Sequence, residues 1–347
     1  MNISPLKIAS HSPTRFILTV LFGLALLAPL PYVVIQPSTP ENVLGKLISI
    51  SDTETFPVSK GSELFITAVL VSDPSSYISG FEVLKSWLSG SRAVFPRAEI
   101  YPPSQSDQEI SAENKAEMSN SQNDAVAAAL NFLGYQLTKS VVLNGTRPGS
   151  DAQGRLLPND ALVEIDGERI NSTTQIQSII TRHSLNELLK VVVKRSGKNG
   201  EIQELPFTIK LTPNEVGKPA LGIYVQNAYE FPFTVKFNIN KTGGPSGGLV
   251  FALGIIEKLT AEDFLRGRKI AGTGTIDSDG NVGPIGGINE KMIGAAGAGA
   301  TIFLAPADNC SEIKQVPKNL LVIPVATLKD AVSALRNTRP ESIAGCR

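Results

Sequence analysis

The chain has 347 residues, 42% hydrophobic and 18% charged, which is enough for two or three domains with packed cores. Lys plus Arg and Asp plus Glu number 32 each, and this zero net charge argues against nucleic acid as the main partner, because phosphate binding needs a cationic excess. The two histidines are His11 and His183, so the C-terminal half has neither a Ser-His-Asp triad nor a histidine-rich zinc site. A GxxxxGK[ST] phosphate loop is missing, so no nucleotide, cofactor or metal is expected.

The N-terminal segment 16–35 is an uncharged apolar run of about the length that spans a bilayer as a helix. Lys7 and Arg15 precede the run and Glu41 is the first charge after it, which places the tail in the cytoplasm and the rest of the chain outside. We therefore predict a cytoplasmic tail over 1–15 and a transmembrane anchor over 16–36. A cleaved signal peptide is the alternative, although its apolar part is usually shorter.

The two cysteines, Cys310 and Cys346, would lie in an extracytoplasmic, oxidising compartment under this topology. One disulfide and two unpaired thiols are both compatible with the sequence.

Residues 41–125 form the first block after the anchor, an extracytoplasmic region whose fold the sequence does not identify. The stretches LGKLISI and SELFITAVLV have the composition of strands, and FEVLKSWLSG that of a short helix around the only Trp. A polar stretch from 102 to 124 follows, which we interpret as a linker or a solvated helix, and AVAAALNFLGY then resumes an apolar helical pattern.

Residues 126–212 form a second, mainly β block. ALVEID and GERI form a predicted hairpin around the Asp166-Gly167 turn, and STTQIQSIITRH is a predicted helix capped by Ser172 or Thr173. The block resembles a PDZ domain, chiefly because residues 160–167 match the pattern D-x-[IL]-x-x-[IV]-[DN]-G. Asn159 stands where bacterial members usually carry Gly, and no carboxylate-binding loop like Gly-Leu-Gly-Phe is evident. A purely structural β domain is the alternative.

The third block, 213–340, alternates predicted strands with predicted helices, which indicates an α/β domain. Its first candidate site is GGPSGG at 243–248, a tight turn in which Ser246 opens a helix that is apolar on every side and therefore buried. A helix N-terminus offers N–H groups to an oxyanion, and Gly247 and Gly248 would let a substrate backbone approach. An ordinary N-cap serine is the alternative.

The second candidate site is PIGGINEK at 284–291, where Lys291 lies among apolar neighbours near the start of a helix. A solvated helix lysine is the common alternative. A serine nucleophile needs a base, and this domain has no histidine. Desolvation lowers a lysine pKa and supplies a neutral amine, so the two stretches together predict a Ser246–Lys291 dyad.

GGPSGG and PIGGINEK, in this order and with AGTGTI before the second, resemble the two signatures of the Lon protease proteolytic domain. The resemblance covers about residues 215–340. It implies Ser246 as nucleophile, Lys291 as general base and Thr273 as a supporting partner of the lysine amine, with no assured role for Glu290.

With its anchor and PDZ-like block, the whole chain resembles the membrane-anchored, PDZ-containing Lon-like proteases of bacteria. Gly243 replaces the Asp of full-length Lon, Gly247 replaces the usual Ala, and the ATPase module is absent.

The resulting expectation is an ATP-independent, membrane-anchored serine endopeptidase that cleaves extended or unfolded extracytoplasmic polypeptides. The expected partners are polypeptide substrates and the membrane, without nucleic acid or nucleotide, and a homo-oligomer is compatible with the sequence. An inactive PDZ-containing adaptor is the alternative function, and a structural protein of the cell envelope is a third.

Overall fold

The structure is a computed structural model that describes residues 13–73, 76–101, 107–197, 201–214, 216–239, 244–337 and 345–346. The larger hydrophobic core draws residues from 43–66, 125–130 and 233–335. A separate core lies within 141–221. The smaller folded unit is therefore inserted into the chain of the larger one.

Helices lie at both ends of the chain and around the insertion. Their bounds are α1 (Pro13–Leu27), α2 (Gly80–Ser89), α3 (Arg97–Ile100), α4 (Asp107–Phe132), α5 (Thr173–Ile180), α6 (Gly248–Leu259), α7 (Ile288–Gly297) and α8 (Leu328–Arg336). The two short helices predicted around Trp87 and after Ser172 are confirmed as α2 and α5. Ser172 caps α5 by accepting a hydrogen bond from the Gln175 N–H.

Strands before the insertion are short. They are β1 (Pro29–Leu30), β2 (Tyr32–Pro37), β3 (Glu41–Asn42), β4 (Ile48–Ser51), β5 (Glu63–Ile66), β6 (Val69–Val71), β7 (Ile78–Ser79) and β8 (Ala93–Pro96). Those of the insertion are β9 (Thr138–Thr146), β10 (Ala161–Ile165), β11 (Glu168–Arg169), β12 (Leu188–Ser196), β13 (Ile202–Lys210), β14 (Thr212–Pro213), β15 (Pro219–Ala220) and β16 (Ile223–Glu230). After it come β17 (Thr234–Phe237), β18 (Lys269–Gly272), β19 (Thr275–Ile276), β20 (Val282–Gly283), β21 (Ile302–Pro306) and β22 (Leu321–Val325).

The larger unit is built on a five-stranded sheet in the order β22-β21-β18-β5-β3. The first four strands are parallel and β3 is antiparallel. Helices α4, α6 and α8 pack in the core on one side, and α7 belongs to a second cluster that includes Phe65 and Phe303. The unidentified block 41–125 thus supplies two strands of the α/β domain that we had predicted to begin at residue 213.

The inserted unit is an antiparallel sheet in the order β13-β12-β10-β9-β16, with β11 paired to β10 and one helix, α5. Both turn residues of the predicted hairpin, Asp166 and Gly167, have positive φ of 50° and 82°, as a type I′ turn requires. The sheet runs from residue 138 to 230, so the predicted bounds of 126–212 are too early at both ends.

Helix α4 explains why the inserted unit begins at residue 138 and not at the predicted residue 126. The predicted linker or solvated helix, of which residues 102–106 lie outside the described residues, becomes a helix of 26 residues. Its C-terminal part, including Ala125 and Leu130, is buried in the core of the larger unit. The apolar pattern that we assigned to the PDZ-like block therefore belongs to the α/β domain.

The N-terminal segment does not form the single transmembrane helix predicted over 16–36. Helix α1 ends at Leu27, and β2 follows with Val33, Val34 and Ile35 buried. Pro29 and Pro31 explain the break, because proline lacks an N–H and disfavours helical backbone in the residue before it. Within the described ranges, which omit the predicted tail residues 1–12, no helix is both long and apolar enough to cross a membrane.

The sequence left open whether the two cysteines form a disulfide or remain as free thiols. Cys310 and Cys346 form a disulfide, which ties residues 345–346 to the short helical turn Ala307–Glu312.

Candidate active site

Ser246 lies in the turn between Gly244 and helix α6, and its side chain is half-buried. Helix α6 begins two residues later, and its N-cap is Gly247, which makes no side-chain capping bond. The hydroxyl of Ser246 therefore does not have the N-cap role that the alternative interpretation gave it. Ten of the twelve residues of α6 are buried, as the all-round apolar pattern predicted, so the turn rests on a rigid element.

Hydrogen bonds hold the backbone of this turn on both sides. The carbonyl of Ser246 accepts from the Gly274 N–H at 2.8 Å and from Thr273 Oγ1 at 3.0 Å. The carbonyl of Pro245 accepts from Ser121 Oγ of α4 at 2.9 Å. The nucleophile candidate is thus fixed by residues far apart in the chain.

Lys291 lies in α7 and is only 2% exposed. Its Nζ donates a hydrogen bond to Thr273 Oγ1 at 3.2 Å, and burial lowers the pKa of the amine to about 8. Thr273, itself fully buried, therefore joins the lysine amine to the turn that carries Ser246. In the part of the chain that the structure describes, no hydrogen bond links the Ser246 hydroxyl directly to Lys291.

The site lies at the carboxyl ends of the parallel strands β5 and β18, where open α/β sheets commonly bind ligands. Thr67, just after β5, donates from Oγ1 to the carbonyl of Gly272 at the end of β18 at 3.0 Å. This hydrogen bond joins the ends of the two strands, next to Thr273, which contacts the turn that carries Ser246.

The two glycines after Ser246 serve packing rather than the approach of substrate that we predicted, because both are buried. A Cβ at Gly247 would collide with the Ile66 side chain, and one at Gly248 would lie 2.8 Å from Ile276 Cγ2. Ile66 occupies the space that the usual Ala methyl would need. Gly243 lies outside the described residues.

Three contributors were missed by sequence reasoning: Ser121, Thr67 and Ile66. Each is more than a hundred residues from Ser246 in the chain and belongs to no local motif, so only the fold shows its role.

Glu290 is buried in the first turn of α7, where the positive end of the helix favours a carboxylate.

A second candidate site is a groove of about 880 Å³ in the inserted unit, between α5 and β16. Ile176 and Ile180 line one side, and Ile223 and Val225 line the other. Strand β16 is at the edge of its sheet, and the loop Pro219-Ala220-Leu221-Gly222 leads into it.

The comparisons with known proteins agree with this geometry. Residues 238–335 match the family model of the Lon protease (S16) C-terminal proteolytic domain. A stretch of 68 residues is 43% identical to the Lon protease of Clostridium beijerinckii, and 73 residues are 39% identical to Lon protease 1 of Bacillus subtilis. These matches cover 18% and 21% of this chain, and each covers only 9% of the relative.

Among solved structures, the chain is similar to PDZ domains of SdrC-like proteins from Listeria. The domain from Listeria innocua is 25% identical, with a TM-score of 0.22, and the match covers 25% of this chain and 92% of that domain. The domain from Listeria monocytogenes is 23% identical, also with a TM-score of 0.22, and covers 24% and 85%.

Residues 238–335, which include Ser246, Thr273 and Lys291, therefore resemble a proteolytic domain by class. More particularly, they are similar to the C-terminal proteolytic domain of Lon proteases, as the paired motifs predicted. A unit with its own hydrophobic core is inserted into the chain of this α/β domain.

Proposed function

We propose that this chain is an ATP-independent serine endopeptidase in which Ser246 is the nucleophile and Lys291 the general base. The observation that carries the proposal is the buried amine of Lys291, which lies within hydrogen-bond distance of Thr273 Oγ1, the group that donates to the Ser246 carbonyl. A serine hydroxyl needs a base that is neutral at the working pH. An amine with a pKa of about 8 is neutral in a useful fraction of molecules near pH 7 to 8.

In the proposed mechanism, Lys291 takes the proton of the Ser246 hydroxyl as its oxygen attacks the scissile carbonyl. Thr273 positions the amine through its own hydroxyl, which passes its hydrogen bond on to the Ser246 carbonyl. N–H groups of the turn at Ser246 and Gly247 stabilise the oxyanion. Lys291 then gives the proton to the leaving amine, and water repeats the cycle on the acyl-enzyme.

The substrates are extended or unfolded polypeptides, since the chain contains no phosphate loop to couple ATP hydrolysis to unfolding. The groove between α5 and β16 supports this choice. Its edge strand offers unpaired backbone groups, and an extended peptide adds to such an edge as a further strand. The inserted unit would then hold a substrate while the larger unit cleaves it.

We further propose that α1 attaches the protein to a membrane, with the peptidase on the extracytoplasmic side. None of the residues of α1 is buried, although all but Thr14, Arg15 and Thr19 are apolar or glycine. The Cys310–Cys346 disulfide supports the oxidising side of the membrane.

Cleavage of a denatured protein by the full chain tests the assignment of the nucleophile. Ser246→Ala should abolish cleavage and labelling by a serine-reactive phosphonate, because the reacting oxygen is removed. Ser333→Ala, at an exposed serine of α8, is the matched control and should keep the wild-type rate. Cleavage by the Ser246 variant at the wild-type rate would overturn the proposal, and an unlabelled, inactive wild type would favour the adaptor alternative.

A further inference from the structure

Helix α2 is amphipathic with its apolar side turned away from the protein. Its one buried residue is a serine, Ser86. Phe81 and Leu84 are exposed, and Trp87 and Leu88 are 80% and 78% exposed. Spacings of three, four and seven residues place these side chains on one side of the helix. A helix on the surface of a water-soluble protein usually turns its polar side to the solvent and its apolar side to the core.

Polar contacts hold α2 in this orientation. Ser79 caps the helix by accepting from the Glu82 N–H, and Glu82 Oε1 accepts from Arg92 Nη1 at 2.6 Å. Both side chains of this ion pair are partly buried between the helix and the following strand. Rotating α2 to bury its apolar side would break the ion pair, so the outward apolar side is part of the fold.

The apolar side of α2 continues the surface of α1. The Gly80 N–H at the start of α2 donates to the carbonyl of Ala28 at 3.2 Å, and β1 pairs with β7 between the two helices. A side chain at Gly80 would collide with the backbone of Ala25. Two exposed apolar helices therefore meet at the end of α1.

We propose that α2 lies in the interfacial layer of a lipid bilayer, with Phe81, Leu84, Trp87 and Leu88 in the acyl region. This inference rests on the proposed membrane attachment by α1 and adds a second contact to it. Trp and Phe with a neighbouring Lys85 are the residue types of interfacial helices, whose apolar side enters the bilayer by about 5–10 Å. A lipid phase covers α1 on every side, whereas a protein partner would cover one side only.

A second contact fixes how the peptidase faces the membrane, because a single helix leaves the domain free to rotate. Strand β8, directly after α2, pairs with β2, and β2 leads to Ser38, whose carbonyl packs against Gly294 of α7. Helix α7 carries Lys291. The membrane-facing helix is thus connected to the catalytic helix through one strand pair, and the active site would have a set height above the bilayer.

Trp87 is the only Trp of the chain, so its fluorescence reports on α2 without labelling. The full chain is reconstituted into phosphatidylcholine–phosphatidylglycerol vesicles, and attachment is measured by flotation. We expect a blue-shifted emission and loss of most of the intensity with lipids brominated near the acyl–headgroup boundary. Trp87→Phe combined with Ile202→Trp moves the reporter to an exposed position of the inserted unit and should remain unquenched.

The outcomes separate the two proposals. Protein that floats while Trp87 stays red-shifted and unquenched would overturn the interfacial position of α2 and leave attachment by α1 intact. Protein that does not float would overturn both. An emission that depends on protein concentration and not on lipid would instead indicate a contact between copies of the chain. Leu84→Glu with Leu88→Glu should abolish the quenching, and cleavage of a denatured protein serves as the check on folding.

Discussion

Helices α1 and α6 are both apolar on nearly every side, yet their surroundings are opposite. Helix α6 buries ten of twelve residues, and α1 buries none of fifteen. An all-round apolar pattern therefore predicts that a helix will be covered, without indicating by what. The protein core covers α6, and under our proposal lipid covers α1. Because the protein core holds α6 in place, α6 can fix the position of the turn that carries Ser246. The exposed helix α1 cannot position a side chain in this way.

The largest effect is expected at Lys291, the proposed general base. Lys291→Arg should lower the cleavage rate by about 10²–10⁴-fold, the contribution typical of a general base, because Arg stays protonated at any pH that the fold survives. Lys329→Arg on the exposed side of α8 is the control and should leave the rate unchanged. An active Arg variant would show that Lys291 acts only as a cation.

The wild-type pH profile supplies the matching observation. The rate should rise with pH and level off above about 8, because the amine must be neutral to accept the proton. An inflection at the ordinary lysine pKa of about 10.4 would contradict a desolvated base.

The next effect compares one aromatic truncation in each helix. Phe251→Ala in α6, where the ring is fully buried, should lower the free energy of unfolding by about 3–5 kcal/mol. Phe22→Ala in α1, where the ring is 62% exposed, should leave it unchanged in detergent. Urea unfolding followed by circular dichroism measures both. Equal destabilisation would mean that protein covers α1 as well.

A smaller effect should appear when the buried charge itself is removed. The folded pKa of Lys291 is about 8 against an ordinary 10.5, so below pH 8 the amine is charged in both states and its burial is unfavourable. Lys291→Met should then raise the free energy of unfolding by up to about 3 kcal/mol, from roughly 1.4 kcal/mol per pKa unit. Between pH 8 and 10.5 the unfolded wild type binds more protons, so wild-type stability rises and the gain of the variant fades. If Lys291→Met raises the free energy of unfolding equally at every pH, the cause is the packing of the methionine and not the loss of the buried charge.

The smallest effect concerns the buried carboxyl of α6. Burial and the neighbouring Asp263 raise the pKa of Glu257 to about 8. The folded protein therefore binds more protons than the unfolded chain between pH 4.5 and 8, and stability should fall as pH rises through that window. In Glu257→Gln, the decrease in the free energy of unfolding between pH 6 and pH 9 should be smaller than in the wild type by about 1–2 kcal/mol. Thermal unfolding at the two pH values measures it. An unchanged slope in the variant would point to another group.

The sequence predicted those parts of the site that local motifs encode. Ser246 and Lys291 each lie in a glycine-rich stretch before a helix, and Thr273 follows from the family resemblance. Thr67 and Ile66 could not be predicted, because their contribution depends on strand β5 pairing with β18 some two hundred residues later. Ser121 could not be predicted because it reaches Pro245 from helix α4, more than a hundred residues earlier in the chain. The single helix predicted over 16–36 is not found, because the prediction gave more weight to hydropathy than to Pro29 and Pro31, which follow the end of α1 at Leu27. The predicted domain bounds were wrong because the amino-acid composition does not change where the inserted unit begins and ends.

The insertion also has a consequence for how the molecule is made. The central sheet contains both β5, which precedes the insertion, and β22, which follows it, so the core of the larger unit cannot close until β22 has been synthesised. The inserted unit has its own core and all its strands within residues 138–230, and it can fold while the ribosome is still adding β18 to β22. A nascent chain would therefore present the folded inserted unit before the turn that carries Ser246 can form its hydrogen bonds to Thr273 and Gly274.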